Sequence, residues 1–262
     1  MPMVLLAHLS DTHFNGGGRN SDRAERVMAF LAELPTRPDA ILVSGDIADE
    51  GSAEEYEQAR AVFRGADVPM LLLPGNHDDR GTMREVLFDA APGYQPINQV
   101  HRVKALTVAL LDSSIPGKSE GLLADETYAW LENLLAATPA DDTVVIAMHH
   151  PPVPIKSTVV DPIPLTNPER LAEIVAGDDR IVGVLTGHAH VPVQTLFAGK
   201  QLAIAPSVSS FIGCEWEVGG PGQVPIDFAP EPSLYFHVIE DRRLLTSLRP
   251  VPLGGGLTEP AE

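Results

Sequence analysis

Five short apolar segments of the sequence end in the same way, because each is followed at once by Asp, Asn or His residues. We interpret these segments as β-strands, since they are too short for typical helices and alternate with amphipathic runs of helical length. Ligands of open α/β sheets bind outside the carboxyl ends of the strands, so the five clusters are expected to converge on one rim. They are Asp11-Thr12-His13, Gly45-Asp46, Gly75-Asn76-His77-Asp78, His149-His150-Pro151-Pro152 and Gly187-His188-Ala189-His190.

Helices and strands alternate in the first half of the chain, which predicts βαβ units and an α/β fold. A capping box between Ser52 and Glu55 indicates one helix start, and Asn167 is expected to cap a helix with Pro168 at its first position. The other predicted helices cover 21–34, 82–90 and 125–137. The strand-rich second half predicts a second, more antiparallel sheet. The predicted strands cover 3–9, 40–44, 70–73, 100–104, 106–112, 143–148, 181–186, 191–197, 201–204 and 233–239.

The chain of 262 residues is predicted to form one domain over 1–249, followed by a flexible tail over 250–262. Within a Pro/Gly-rich stretch, residues 213–232 are expected to form a loop or a small cap. No apolar run approaches the ~18 residues of a membrane helix. The first residues lack the basic region of a signal peptide, so we expect a cytoplasmic protein.

Charge and cysteine content restrict the function further. The formal net charge is -18, which repels polyanions, so no nucleic acid polymer is expected as a partner. The single cysteine, Cys214, excludes an internal disulfide and a thiolate metal site, and it fits a reducing compartment.

The residue types of the five clusters suit a metal centre. Carboxylate and amide oxygens together with imidazole nitrogens are ligands for Mn, Fe, Co or Zn, and a structural zinc site is not expected without thiolates. Asp11 and His13 stand two residues apart, as do His188 and His190, so each pair can point to one side of an extended segment. The whole set is large enough for two ions.

The order of these clusters is similar to the signature of calcineurin-like metallophosphoesterases, and the resemblance runs from Asp11 to His190. It implies a four-layer α/β/β/α sandwich of two mixed sheets, with the metal site at the carboxyl ends of the strands. It also implies two divalent metal ions, Mn and/or Fe before Zn or Co. One ion would be held by Asp11, His13, Asp46 and His190, and the other by Asp46, Asn76, His149 and His188, with Asp46 bridging.

The resemblance also implies a mechanism. Two divalent ions carry four positive charges and the two aspartates remove two, so a bridging water ionises near neutral pH and attacks phosphorus. With the ionised water counted, about one positive charge remains, and this charge matches a phosphodiester monoanion. Asn76 and His77 would contact the substrate, with His77 protonating the leaving group and Asp78 orienting His77. His150 is expected to have a structural role.

Departures from related patterns narrow the substrate. Glu50 replaces the arginine of Ser/Thr protein phosphatases, and Asp49 stands where purple acid phosphatases have a metal-binding tyrosine. The sequence is more similar to bacterial class III cyclic nucleotide phosphodiesterases and their glycerophosphodiesterase relatives. We therefore predict hydrolysis of small phosphodiesters, first of all 3′,5′-cyclic nucleotides, with glycerophosphodiesters as the alternative. A nuclease and a non-enzymatic metal-binding scaffold are less favoured.

Three segments are left with open roles. Arg19 and Asn20 are expected either near the substrate or in a flexible linker. Residues 211–216 form either an apolar wall for a base or part of the core. The stretch Asp161-Pro162-Ile163 looks like the substrate-side loop of the glycerophosphodiesterase branch, with a chance match as the alternative. The resemblance also implies a homodimer or a higher homo-oligomer.

Overall fold

The computed structural model describes residues 3–218, 223 and 225–254. It contains five helices in this part of the chain, α1 (Gly18–Glu33), α2 (Ala53–Phe63), α3 (Arg80–Leu87), α4 (Asp125–Ala137) and α5 (Pro168–Gly177). The strands are β1 (Val4–Leu9), β2 (Ala40–Ser44), β3 (Met70–Leu73), β4 (Gln99–Val103), β5 (Leu106–Leu110), β6 (Thr143–Ala147), β7 (Ile181–Thr186), β8 (Val193–Phe197), β9 (Lys200–Ile204), β10 (Phe211–Ile212), β11 (Ile226–Asp227), β12 (Ser233–Glu240) and β13 (Arg243–Pro250).

Both large sheets are mixed, as the family resemblance implies, but the prediction of a more antiparallel second sheet is wrong, because three of the five strand pairs in the six-stranded sheet are parallel. The five-stranded sheet has the order β13-β12-β1-β2-β3, with β1, β2 and β3 parallel and β12 antiparallel to both of its neighbours. The six-stranded sheet has the order β4-β5-β6-β7-β9-β8, with antiparallel pairs only at its two edges. Neighbouring parallel strands bring their carboxyl ends to the same edge, and this edge carries the polar clusters.

Three apolar layers hold these elements together. In the first, Val27 of α1 and Tyr56 of α2 pack on one face of the five-stranded sheet. The middle layer joins the two sheets, with Leu6 on one side and Val145 on the other. In the third, α4 packs on the remaining face of the six-stranded sheet through Leu131. These layers are consistent with the predicted four-layer order.

Two helix starts differ from the prediction. Helix α1 begins at Gly18, three residues earlier than expected, and α3 begins at Arg80 because the Asp79 side chain accepts a hydrogen bond from the Thr82 N–H. The capping box of α2 is confirmed, since Ser52 and Glu55 each bond the other's backbone.

The predicted side-chain cap of α5 by Asn167 is wrong. Pro168 does occupy the first helical position, but the Asn167 side chain makes no capping bond. Its amide instead bonds the backbone N–H and the carbonyl of Leu123, at 3.1 and 2.9 Å. The side chain therefore ties the start of α5 to the segment before α4.

The sequence did not predict β13, which pairs along its whole length with β12. Pro250 is the last residue of this strand, and the next residue, Val251, is buried and bonds the Pro232 carbonyl at 2.8 Å. The first two residues of the predicted tail thus pack with the fold, while 255–262 lie outside the described residues. In the described part of the predicted cap, β11 pairs with β10 in a small separate hairpin. No helix in the described ranges is long and apolar enough to cross a bilayer.

A chain of buried polar groups crosses the middle layer beneath the rim. His8 Nε2 lies 2.8 Å from Ser44 Oγ, and His8 Nδ1 lies 3.0 Å from His237 Nε2. His237 Nδ1 in turn lies 2.8 Å from the Thr246 hydroxyl. Burial, followed by the neighbouring His237, holds the pKa of His8 well below its usual value, and burial lowers the pKa of His237 to about 3. Burial therefore favours the neutral form of both rings, and hydrogen bonds hold them in place.

We predict that His8→Ala lowers the free energy of unfolding by about 2–4 kcal/mol, because it leaves a cavity and removes the hydrogen bonds that the ring makes with Ser44 Oγ and His237 Nε2. Urea unfolding of the protein in EDTA measures this loss without a contribution from metal binding. His101→Ala is the control, since His101 is half-buried and its Nε2 has no partner in the described structure. We expect that variant to lose less than about 1 kcal/mol. Equal losses in the two variants would contradict the role of the buried chain.

Candidate metal centre

The five polar clusters meet where strands of both sheets end. The loops after β1 and β2 are joined by backbone bonds from Asp11 N to the Gly45 carbonyl and from His13 N to the Asp46 carbonyl. Several hydrogen bonds connect these loops to the other sheet, and two of them involve candidate ligands from both sheets or their neighbours. His149 Nδ1 donates to the Ser44 carbonyl at 2.8 Å, and His188 N donates to Asp11 Oδ2 at 3.1 Å. The convergence that the sequence predicts is therefore present.

Asp11, His13, Asp46 and His190 form the first cluster of candidate ligands, with one ligand atom of each within 4.8 Å of the others. His13 Nε2 lies 3.2 Å from His190 Nε2 and 3.7 Å from Asp46 Oδ2. His190 Nε2 lies 3.4 Å from Asp11 Oδ1. This is the set that the resemblance implies for one ion.

The second cluster is centred on His149. Its Nε2 lies 3.1 Å from Asn76 Oδ1, 3.3 Å from Asp46 Oδ2 and 3.2 Å from His188 Nδ1. The same oxygen, Asp46 Oδ2, therefore faces both clusters. This position between them is the one that a bridging carboxylate requires.

Hydrogen bonds to carbonyl groups assign the tautomers of two imidazoles. His149 Nδ1 faces the Ser44 carbonyl, and His188 Nε2 faces the Ile163 carbonyl at 3.2 Å, so both nitrogens must donate. When the rings are neutral, His149 Nε2 and His188 Nδ1 present lone pairs to each other, and His149 Nε2 also faces the oxygens of Asp46 and Asn76. Such a gathering of lone pairs is stabilised by a cation, and backbone partners of this kind commonly orient metal-binding histidines.

Buried negative charge supports the same fit. Asp11 and Asp46 are buried, and Asp11 Oδ1 has no hydrogen-bond partner among the residues that the structure describes. Burial alone favours a neutral carboxyl, but His149 and then His13 outweigh it and hold the pKa of Asp46 well below its usual value. Burial also opposes protonation of His149, yet the Asp46 and Asp11 carboxylates raise its pKa to about 9. Both clusters therefore attract positive charge, and their oxygen and nitrogen donors fit two divalent ions.

The backbone at these ligands is unusual. Asp11, His13, Asp46, His188 and His190 have φ angles between 44° and 70°. This left-handed conformation costs on the order of 1 kcal/mol or more for a residue with a side chain. The strained residues of these loops are therefore the candidate ligands themselves.

Gly75 allows the close approach of Asp46 and His149. A Cβ atom at Gly75 would lie 2.1 Å from Asp46 Oδ1, 2.4 Å from Asp46 N and 2.8 Å from His149 Cε1. Two of these distances involve groups at the centre of the site, so no larger residue fits without moving a candidate ligand.

His150 lies beside the second cluster but its ring nitrogens are already used. Nε2 donates to the Ser119 carbonyl at 3.1 Å, and Nδ1 lies 2.8 Å from the Ser113 hydroxyl. Burial and then the neighbouring His149 lower the pKa of His150 to about 3. Although its nitrogen lies close enough to join His149 and His188 around an ion, these bonds favour the predicted structural role.

The predicted role of Asp78 in orienting His77 is wrong. The Asp78 carboxylate accepts hydrogen bonds from the backbone of Ile47, Ala48 and Gly75 and from the Tyr56 hydroxyl, at 2.8–3.1 Å. It therefore fixes the loop that carries Asp46. His77 is oriented by Asp49 instead, since its Nδ1 donates to the Asp49 carbonyl at 2.7 Å.

Asp49 is a site residue that the sequence analysis did not assign. Its Oδ1 accepts a 2.8 Å hydrogen bond from His13 Nδ1, and this bond is the main reason why the pKa of Asp49 lies below its usual value. Asp49 thus orients a candidate ligand with its side chain and His77 with its carbonyl. Its place three residues after Asp46 was the available signal, but the sequence analysis used it only to exclude purple acid phosphatases.

A cavity of about 460 Å³ opens onto the two clusters. The structure places both residues whose roles the sequence left open, Arg19 and Asn20. Asn20 lines the cavity, whereas Arg19 does not line it and donates a hydrogen bond to Asn20 Oδ1. Within 211–216, Ile212 lines the cavity, whereas Trp216 is exposed elsewhere. The lining residues are His13, Asn15, Asn20, Asp46, Asp49, Asn76, His77, Ser119, Val159, Val160, Ile163, His188, His190, Ser209, Ser210, Ile212, Ile226 and Phe228.

Comparison with known protein families shows to which family the chain belongs. The family model described as calcineurin-like phosphoesterase matches residues 4–192, which include every candidate ligand. The chain belongs to the calcineurin-like phosphoesterase family. Members of this family use a dinuclear metal centre, and this phosphoesterase has clusters of His and Asp side chains that could hold metal ions.

Curated relatives cover most of the chain. It is 38% identical over 216 residues to a glycerophosphodiester phosphodiesterase of Enterobacter lignolyticus, covering 78% of this chain and 77% of the relative. It is 34% identical over 229 residues to a probable cyclic nucleotide phosphodiesterase of Rhodococcus erythropolis, covering 84% and 75%. A dimetal phosphatase of Danio rerio shares the fold with a TM-score of 0.70 at 14% identity, covering 95% of this chain and 96% of that one.

We predict that Gly75→Ala reduces the metal content of the phosphoesterase by at least one ion per chain, because the new methyl group displaces Asp46. Inductively coupled plasma mass spectrometry of protein dialysed against Mn²⁺ measures this content. Gly177→Ala is the matched control, since a Cβ atom there meets no atom within 4 Å. A Gly75→Ala protein with full metal content would show that the Asp46 carboxylate is not confined in this way.

Proposed function

We propose that this phosphoesterase hydrolyses 3′,5′-cyclic nucleotides. The observation that carries the proposal is the cavity of about 460 Å³, which combines the candidate ligands with an apolar wall of Val159, Val160, Ile163, Ile226 and Phe228. A volume of this size suits a small organic ligand. One part of such a ligand would be a phosphodiester at the ligands, and the other an uncharged group against the apolar wall.

Charge favours a diester over a monoester or a polymer. None of the described lining residues is a Lys or an Arg. Two divalent ions with the carboxylates of Asp11 and Asp46 would leave about two positive charges, and about one once a water molecule ionises. That charge matches a phosphodiester monoanion, whereas a monoester dianion or a nucleic acid polymer would gain from cationic side chains. The net charge of -18 argues further against a nuclease.

We assign the first ion to Asp11, His13, Asp46 and His190 and the second to Asp46, Asn76, His149 and His188. The donors are oxygen and nitrogen without thiolates, so we propose Mn and/or Fe, with Zn or Co as alternatives. When bound, two such ions lower the pKa of a water molecule and polarise phosphoryl oxygens. The complete ligand set argues against a non-enzymatic scaffold.

We assign proton delivery to His77. Its backbone N–H donates to Asp46 Oδ1 at 3.0 Å, and its ring is anchored by Nδ1 to the Asp49 carbonyl. Nε2 is therefore the ring atom free to meet the substrate in the cavity. When protonated, it would donate to the leaving oxygen, while Asn76 shares in holding the phosphate. We retain Asp78 as a support of the loop, not as a catalytic group.

Glycerophosphodiesters are the second candidate substrates. One relative of 38% identity carries that activity in its name. In addition, the stretch Asp161-Pro162-Ile163 adjoins the candidate metal centre. The Ile163 carbonyl accepts a hydrogen bond from His188 Nε2, and Ile163 lines the cavity. This contact is compatible with the substrate-side loop that the sequence suggests.

Assembly, compartment and domain limits extend the proposal. On the basis of the family resemblance, we propose a homodimer or a higher homo-oligomer. Light scattering after size-exclusion chromatography measures the molar mass of this assembly. We propose the cytoplasm, in keeping with Cys214, which is free and buried. The domain would cover 1–249, and within 213–232 the described hairpin would act as a small cap over the cavity.

A substrate panel on Mn²⁺-loaded protein tests the proposed function. It compares kcat/KM for 3′,5′-cyclic AMP, 3′,5′-cyclic GMP, 2′,3′-cyclic AMP, glycerophosphoethanolamine and single-stranded DNA. We expect kcat/KM for the 3′,5′-cyclic nucleotides to exceed kcat/KM for the glycerophosphodiester by about tenfold or more. This ratio is equivalent to a difference of about 1.4 kcal/mol in the activation barrier. The reverse order would establish the second candidate, and preferred cleavage of DNA would reject both.

We predict that His77→Ala retains both metal ions and lowers kcat by about 100-fold or more, because a proton donor is lost without a ligand. Metal content and kcat are measured on the same preparation. His101→Ala, on β4 and away from the cavity, should change neither value. Loss of metal from the His77→Ala protein would move this residue to a structural role.

A further inference from the structure

Phe228 is an exposed aromatic residue at the substrate cavity. Its side chain lines the cavity beside Ile226 of β11 and Ile212 of β10, yet the residue is 59% exposed. It belongs to none of the three apolar layers of the described structure. A large apolar ring held at a cavity without packing into the core is typical of a ligand contact.

Arg19 fixes the position of this ring. Its guanidinium lies over the ring of Phe228, 5.2 Å from the centroid, and Nη2 donates to the Phe228 carbonyl at 2.5 Å. Nη1 donates to the Ser209 carbonyl at 2.9 Å and to Asn20 Oδ1 at 2.8 Å. One side chain therefore holds the ring, the segment after β9 and the start of α1 together.

The hydrogen bonds continue from Asn20 to the metal centre. Asn20 Nδ2 donates to the carbonyl of His13 at 2.6 Å, and His13 is a candidate ligand. The ring of Phe228 is thus connected to the first cluster through Arg19 and Asn20. A group that stacks on Phe228 would therefore be held in a defined position relative to a phosphate at the ligands.

We propose that Phe228, backed by Arg19, is the surface on which the nucleobase of the substrate stacks. This inference rests on the proposed function and names the part of the cavity that selects nucleotides over glycerophosphodiesters. Arg19 occupies one face of the ring, and the base occupies the other, between the side chains of Ile212 and Ile226. Stacking tolerates any base because every base has a π-face, so adenine and guanine are accepted alike.

Phe228→Ala tests the stacking. Removal of an aromatic stacking partner costs about 1–3 kcal/mol per base, which corresponds to a rise of about 5- to 150-fold in KM. We expect this rise for cyclic AMP and cyclic GMP alike, with kcat within about twofold of the wild type. The ratio of kcat/KM for cyclic AMP to that for glycerophosphoethanolamine should fall about tenfold or more, and Phe228→Tyr should restore it.

Two further variants separate stacking from general disturbance of the hairpin. Trp216→Ala removes another exposed aromatic residue of the same segment, which does not line the cavity, and should leave every KM unchanged. Arg19→Met keeps much of the side-chain volume but loses the hydrogen bonds, and it should raise KM for both cyclic nucleotides. The proposal would be overturned if Phe228→Ala lowered kcat equally for all substrates. Loss of metal from this variant would also overturn it.

Binding of a product analogue keeps this inference separate from the proposed function. Isothermal titration calorimetry of Mn²⁺-loaded protein compares 5′-AMP with inorganic phosphate, which lacks the base. We expect Phe228→Ala to weaken 5′-AMP by about 5-fold or more and phosphate by less than about twofold. If the wild type fails to cleave cyclic AMP but shows this difference, the proposed function fails and the stacking surface stands. Equal binding of 5′-AMP by wild type and variant overturns the stacking surface whatever the enzyme cleaves.

Discussion

The candidate metal centre depends on a gathered set of lone pairs that cations would stabilise. Asp46 Oδ2 faces the imidazole nitrogens of His13 and His149, and carbonyl partners direct the His149 and His188 lone pairs to the same region. Without cations, these groups repel one another or take up protons. Left-handed backbone, a glycine in close contact and the network of Asp78 then hold the donors in place.

The ligand set is divided between two sheets. Asp11, Asp46 and Asn76 follow strands of the five-stranded sheet, and His149 and His188 follow strands of the six-stranded sheet. Ions bound to both groups would therefore join the two halves of the fold at the rim, in addition to the apolar layer between the sheets. Since ligands that bind only the folded state stabilise it, metal binding would be linked to folding in this protein.

The sequence predicts the convergence of the ligands because parallel strands place their ends together and the polar clusters follow those ends. It does not predict the partners of Asp78, since a carboxylate three residues after Gly75 can face either a histidine or backbone N–H groups, and only the loop geometry decides. Strand β13 was missed because none of its residues is buried, so it lacks the apolar pattern of a core strand and its conformation depends on pairing with β12. Phe228 was missed because no local pattern shows that a Pro/Gly-rich segment returns to the cavity.

The small hairpin of β10 and β11 pairs with neither large sheet, although Ile212 and Ile226 reach the cavity. Mutations in this segment can therefore accumulate without disturbing the strands that carry the metal donors. In an evolving lineage, the chemistry would be inherited with the sheets, while the range of accepted molecules drifts with the hairpin.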